Sequence, residues 1–197
     1  INKKSYQNAR KQHVDRYLGP TGIQVSVISF GNWLNSNSQE AKKTTIDCVK
    51  TAWDHGINFF DTAEVYGYGE AEVQIGEALR LLNVPRHKYV LSTKIYWGTK
   101  EYIPTRRGLS RKHVIEGVKA SLKRLGQEYV DIVSATDLTS KLLLRNMQAF
   151  DWLIRKGYVF YWGTSEWTAE QIAEAHFVCE KYGLNKPVVE QCEYILY

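Results

Sequence analysis

Three polar residues in this sequence, Asp61, Tyr66 and Lys94, are of types that could act together on a carbonyl group. A phenol with an ordinary pKa near about 10 is a poor proton donor at neutral pH, and a lysine ammonium beside it favours the phenolate. A carboxylate paired to that lysine would fix and hold it. Such a trio suits general acid work on a carbonyl oxygen while hydride arrives from a reduced nicotinamide. Taken singly, each residue has a plainer reading: Asp61 as a cap for the next turn, Tyr66 as loop packing, and Lys94 as a buried ion-pair partner. The choice depends on whether the fold gathers them.

The sequence alternates short β-branched apolar runs with longer stretches of helical spacing, the pattern of βα units on a parallel sheet. Residues 16–26, with Gly19-Pro20-Thr21-Gly22 in the middle, predict a hairpin able to plug one end of a barrel. Strands are expected at 25–30, 58–60, 89–93, 130–134, 159–162 and 188–191. Between them lie apolar helical faces. Ile46, Val49, Ala52 and Trp53 form the first, stopped by Gly56, and Ala71, Ile75, Ala78, Leu79 and Leu82 the second. Val114, Ile115, Val118, Leu122 and Leu125 follow Ser110 as N-cap. A helix after Met147 carries Phe150, Leu153 and Ile154, and Thr168 with Gln171 makes a capping box before Ile172, Ala175 and Cys179.

Five helices between six parallel strands fit either an open doubly wound sheet or part of a closed barrel. No Gly-x-Gly-x-x-Gly follows an early strand, which favours the barrel. In a barrel the C-terminal ends of the strands share one mouth. The residues expected there are Asn32, Trp33, Asp61, Tyr66, Lys94, Thr136, Ser165, Gln191 and Glu193.

Composition narrows the setting. The chain has 197 residues, 44% hydrophobic and 24% charged, as ordinary globular domains do. No run approaches the roughly 20 apolar residues of a membrane-spanning helix, and no signal-peptide pattern is seen, so a reducing, cytoplasmic setting is expected. Cys48, Cys179 and Cys192 have no metal or redox spacing and read as packing residues. Much of the net charge of +5 is local: Lys3, Lys4, Arg10, Lys11 and Arg16 stand against only Asp15. Residues 1–15 are therefore read as a basic tail, either merely solvated or in contact with an acidic surface, and 16–197 as the domain. Nucleic acid is not the expected partner.

The words Asn58-Phe59-Phe60-Asp61-Thr62-Ala63-Glu64-Val65-Tyr66-Gly67 and Leu91-Ser92-Thr93-Lys94-Ile95 strongly resemble the aldo-keto reductases. Lys94-Ile95-Tyr96-Trp97-Gly98, Gly108-Leu109-Ser110-Arg111-Lys112-His113, Tyr161-Trp162-Gly163-Thr164-Ser165 and Glu190-Gln191-Cys192-Glu193-Tyr194 look like the potassium-channel β-subunit branch. The resemblance runs from about Arg16 to Tyr197. It implies an α/β fold, a (β/α)8 TIM barrel present through about its sixth strand, with two further strands expected in a longer chain. It implies NADPH as cofactor, with Asp61, Tyr66 and Lys94 in three of four catalytic positions and Tyr66 as proton donor. Ser165 and Gln191 match carboxamide-holding positions, while Trp33, Gln39 and Trp97 fall where the family lines the cofactor or substrate cleft. A homo-tetramer and a protein partner in a larger assembly follow by analogy with the channel subunits.

Three positions depart from the family pattern. Thr136 stands where His or Asn is usual, and its hydroxyl is shorter than either. Glu166 follows Ser165 where the branch often has Arg, and Asn32 replaces a Thr in a cofactor-side motif. An anion near a phosphate-bearing cofactor weakens its binding. Two functions are therefore expected to compete: an NADPH-dependent carbonyl reductase, and a weakly active or inactive barrel serving as a subunit of a channel, cytoskeletal or ciliary assembly. In the second case the protein would lie at the membrane or cytoskeleton periphery.

Overall fold

The computed structural model describes residues 14–33, 38–137 and 143–194. The expected basic tail falls almost wholly outside them. The chain enters through a small antiparallel hairpin, β1 (Asp15–Tyr17) and β2 (Gln24–Ser26), whose turn places Gly22 at φ 76. Six short parallel strands follow: β3 (Phe30–Gly31), β4 (Phe59–Asp61), β5 (Val90–Ile95), β6 (Val130–Thr136), β7 (Val159–Ser165) and β8 (Glu190–Gln191). Each is hydrogen-bonded to the next in chain order, with β3 and β8 at the two edges. The helices between them are α1 (Gln39–Asp54), α2 (Glu70–Leu81), α3 (Arg111–Leu125), α4 (Leu143–Arg155) and α5 (Ala169–Tyr182). Consecutive parallel neighbours joined by helices make a curled sheet, a partial (β/α)8 barrel.

The predicted helix signals operate as expected. The hydroxyl of Ser110 accepts from His113 N–H at 3.1 Å at the start of α3, and Gly126 closes its end in the left-handed region, φ 63. Thr168 and Gln171 form the reciprocal box at α5. One expected strand is divided. Residues 25–30 do not form a single strand, because Gln24–Ser26 is the second strand of the hairpin and the parallel sheet begins only at Phe30. The third strand runs on to Ile95, so Lys94 lies within β5 rather than beyond it.

Strand alternation divides the side chains into two sets. Phe60, Leu91, Ile95, Val133, Ala135 and Trp162 face outward and join the main core with Val49, Ile75, Val118, Phe150 and Leu153 from the helices. Trp162 stacks on Phe150, centroids 5.0 Å apart and rings 8° from parallel. The inward set starts apolar at the N-terminal ends, where Val90 and Ile132 are buried with the hairpin's Val25 and flanked by Phe59, Tyr161 and Val189. Tyr161 Oη donates to the Thr21 carbonyl at 3.3 Å. The hairpin thus plugs the lower end, and the inward positions turn polar toward the upper one.

Candidate active site

Two or four residues further up the strands, the inward set becomes Asp61, Lys94, Thr136, Ser165 and Gln191. Strand register sets them side by side: Gly31 opposite Asp61, Lys94 opposite Ser134, Thr136 opposite Ser165 and Ser165 opposite Gln191. Lys94, Thr136, Ser165 and Gln191 border a cavity of about 550 Å³, a size typical of small-molecule sites, and Asp61 reaches it through its ion pair with Lys94. Trp33, Tyr66, Lys94, Trp97, Thr136, Ser165, Glu166 and Gln191 all line it, and the loop residues Val65, Tyr96, Cys192 and Glu193 complete the wall.

Lys94 is the buried cation of the site. Its side chain is 5% exposed and ion-paired with Asp61 Oδ2, and it also donates to the Thr62 carbonyl at 3.0 Å. Its Nζ lies 5.2 Å from the centre of the Tyr66 ring. Asp61 is held in turn by the hydroxyl of Ser92, which donates to Oδ1 at 2.5 Å, and by the Gln191 amide, which approaches Oδ2 at 3.4 Å. The indole of Trp33 leans over Tyr66, centroids 6.1 Å apart. The three residues that could do chemistry therefore share one mouth.

Strain collects at the same rim. Asp137 and Glu166, which directly follow β6 and β7, sit at φ 52 and φ 61, a region that costs most residues roughly 1 kcal/mol or more. Both are tied down there: Asp137 N–H donates to the Ser165 carbonyl at 2.9 Å and Glu166 N–H to the Gln191 carbonyl at 3.2 Å. The tight turn leaves Glu166 exposed at the cavity edge.

Two expected cofactor-side residues lie elsewhere. Asn32 is buried, and its amide donates to the Ala71 carbonyl at 2.7 Å, pinning the segment after β3 to α2; it does not line the cavity. Gln39 is the first residue of α1 and is exposed, because the helix starts there under the Ser38 cap. Conversely, Glu64 was not anticipated. Its Oε1 accepts from the N–H groups of Tyr96 and Gly98, both at 2.8 Å, so it shapes the cavity wall from behind. A lone carboxylate between Asp61 and Tyr66 is the signal the sequence held for it.

Comparison with known proteins decides the family. The aldo/keto reductase family model matches residues 27–197. The chain belongs to the aldo/keto reductase family. A putative voltage-gated potassium channel subunit beta of Schizosaccharomyces pombe is 45% identical over 181 residues, covering 91% of this chain and 53% of that protein. Probable voltage-gated potassium channel subunits beta of Arabidopsis thaliana and Oryza sativa are 45% and 44% identical, with 91% of this chain and 55% of each protein covered. The chain thus spans about half the length of the curated relatives it matches.

Members of the aldo/keto reductase family generally use NAD(P)H. The residues present fit the nicotinamide end of such a cofactor: a hydroxyl on Ser165 and an amide on Gln191 stand on adjacent strands, beside aromatic walls. The phosphates find less. Lys94 is the one cation among the described lining residues and is already paired, whereas Glu166 and Glu193 add negative charge. Among the described residues no helix is long and apolar enough to cross a membrane.

Proposed function

We propose that this chain carries the nicotinamide and carbonyl site of an NADPH-dependent aldo-keto reductase able to reduce aldehydes or ketones. The observation that supports it most is Lys94, a buried ammonium fixed by Asp61 and Thr62 and set against the Tyr66 ring at the floor of an open cavity. A reduced nicotinamide, when bound, supplies the hydride. Ser165 and Gln191 would hold its carboxamide, and Trp33 and Trp97 would wall the cleft. Tyr66 gives its phenolic proton to the carbonyl oxygen, yielding the alcohol. Lys94 offsets the negative charge left on the phenolate, and Asp61 keeps Lys94 in place. The Thr136 hydroxyl can offer the carbonyl oxygen one further hydrogen bond.

A hydride-transfer assay on the complete protein, with NADPH and a simple aromatic aldehyde, tests this reading. Cofactor oxidation at least about 100-fold faster than in Tyr66→Phe is expected, the usual size of a general-acid contribution. Equal rates would end it.

A second reading is favoured by Thr136 and by the anionic Glu166 at the cavity edge. In it the barrel binds nucleotide weakly, turns over slowly or not at all, and serves as a subunit of a larger assembly, as the names of its relatives suggest. The basic residues of the first sixteen would then lie on an acidic surface of that assembly. Purification of the native protein as a free species with no companion would count against it.

A further inference from the structure

Glu64, in the turn after β4, and His113, on α3, face each other in a closed space behind the cavity wall, each 3% exposed. Glu64 Oε1 takes the N–H groups of Tyr96 and Gly98, and its Oε2 lies 3.3 Å from His113 Nε2. The other ring nitrogen, Nδ1, is 2.7 Å from the Gly108 carbonyl, and Gly108 N–H donates to the Tyr96 carbonyl at 2.7 Å. Each path from the pair returns to Tyr96-Trp97-Gly98, the segment that places Trp97 in the cavity. Arg107 closes the frame, its Nε donating to the Trp97 carbonyl at 2.8 Å with the guanidinium 5.2 Å from the Trp97 ring. Gly98 is needed there as glycine: it sits at φ 70, and a Cβ would meet the Arg106 carbonyl oxygen at 2.5 Å.

The proton count of this network is fixed by its acceptors. A carbonyl only accepts, so His113 Nδ1 must carry a hydrogen. Nε2 faces a carboxylate oxygen, which also accepts, so a further proton lies between Nε2 and Oε2. Whichever atom holds it, the pair is neutral overall. Its removal sets two lone pairs against each other in a buried site and weakens the hold of Glu64 on the loop. Burial alone would pull the imidazole down, but the hydrogen bond and charge of Glu64, with the Gly108 carbonyl, outweigh it and leave His113 raised above its ordinary value. Other charges face the pair across a cavity of about 230 Å³. Arg106 opposes the imidazolium, Glu116 is tied to Lys112 at 2.5 Å, and Arg124 is tied to Glu72 at 2.6 Å.

We infer that Glu64 and His113 are positioning residues: through one shared proton they hold Tyr96-Trp97-Gly98 and so set the Trp97 wall of the cavity. This deepens the site reading above and rests on it only for the cavity's use, not for the clamp itself. The test needs no nucleotide. In the complete protein labelled with 5-fluorotryptophan, the Trp97 fluorine resonance is the one lost in Trp97→Phe. It is expected to move in one step as pH rises, with a midpoint above the ordinary histidine value of about 6.5. In Glu64→Gln the amide oxygen keeps both backbone bonds and the amide N–H donates to neutral Nε2, so the resonance stays at its neutral-pH position and the step disappears. In Glu64→Ala it shifts or broadens at every pH. A Trp97 resonance that ignores pH from about 5 to about 9 in the unaltered protein would overturn the inference. So would Glu64→Gln displaced as far as Glu64→Ala. Hydride transfer is measured separately, so a flat resonance with normal turnover sinks the clamp alone, and a normal step without turnover sinks only the reductase reading.

Discussion

Removal of the Asp61 carboxylate should be costly out of proportion to its size. Lys94 is 5% exposed and Asp61 15%, and among the described residues the ammonium's other partners are the Thr62 carbonyl at 3.0 Å and the face of the Tyr66 ring. Asp61→Ala therefore strands a buried cation and deprives the Ser92 hydroxyl of its 2.5 Å acceptor. Breaking a buried pair in this way typically costs about 3 to 5 kcal/mol, against a total stability of about 5 to 15 kcal/mol for a domain. The lower end, about 3 kcal/mol, is expected here, because the open cavity lets water reach part of the ammonium. Urea unfolding of the complete protein reads the loss, and the second arm of the cycle is decisive. Lys94→Met combined with Asp61→Ala removes the stranded charge and should recover most of what Asp61→Ala lost. A single variant costing under about 1 kcal/mol, or a double variant no better than Asp61→Ala, would refute the idea that Lys94 depends on Asp61.

Other outcomes follow from the same geometry. Glu166→Arg should tighten NADPH about tenfold at low ionic strength in a fluorescence titration, with the gain shrinking as salt is added, since the change reverses one charge at the cavity edge. His113 is raised in the fold, so its contribution is fully present below about pH 6.5 and lost as pH rises through the folded value. The stability difference between the unaltered protein and His113→Gln, read as urea midpoints, should accordingly shrink with rising pH. Burial pushes the Cys179 thiol up to about 11, whereas Cys48 and Cys192 are exposed. Iodoacetamide on the native protein, followed by peptide mapping, should mark Cys48 and Cys192 and spare Cys179.

Much of this arrangement could be read from residue order because strand ends carry the site. Once six β-branched runs are recognised as parallel neighbours, the inward residue at the top of each follows from two-residue alternation, and Asp61, Lys94, Thr136, Ser165 and Gln191 fall into one ring. Local signals were equally legible at Ser110 and at Thr168 with Gln171, where capping chemistry needs no tertiary contact. What escaped depends on contacts between distant segments. The turn at 19–22 announced the hairpin, but not that its second strand ends at Ser26 and leaves the parallel sheet to begin at Phe30, where 25–30 reads as one run. Asn32 was expected near the cofactor on family likeness, yet its amide serves the Ala71 carbonyl on α2. Glu64 and His113 meet only after the turn following β4 and the start of α3 converge, and neither residue alone suggests the other.

The most direct check on the central claim is a crystal structure of the complete protein grown with NADPH. The nicotinamide should lie in the cavity with its carboxamide against Ser165 and Gln191 and its ring beside Tyr66. A cavity filled only by solvent at saturating nucleotide, or a nicotinamide bound on another face, would contradict the account.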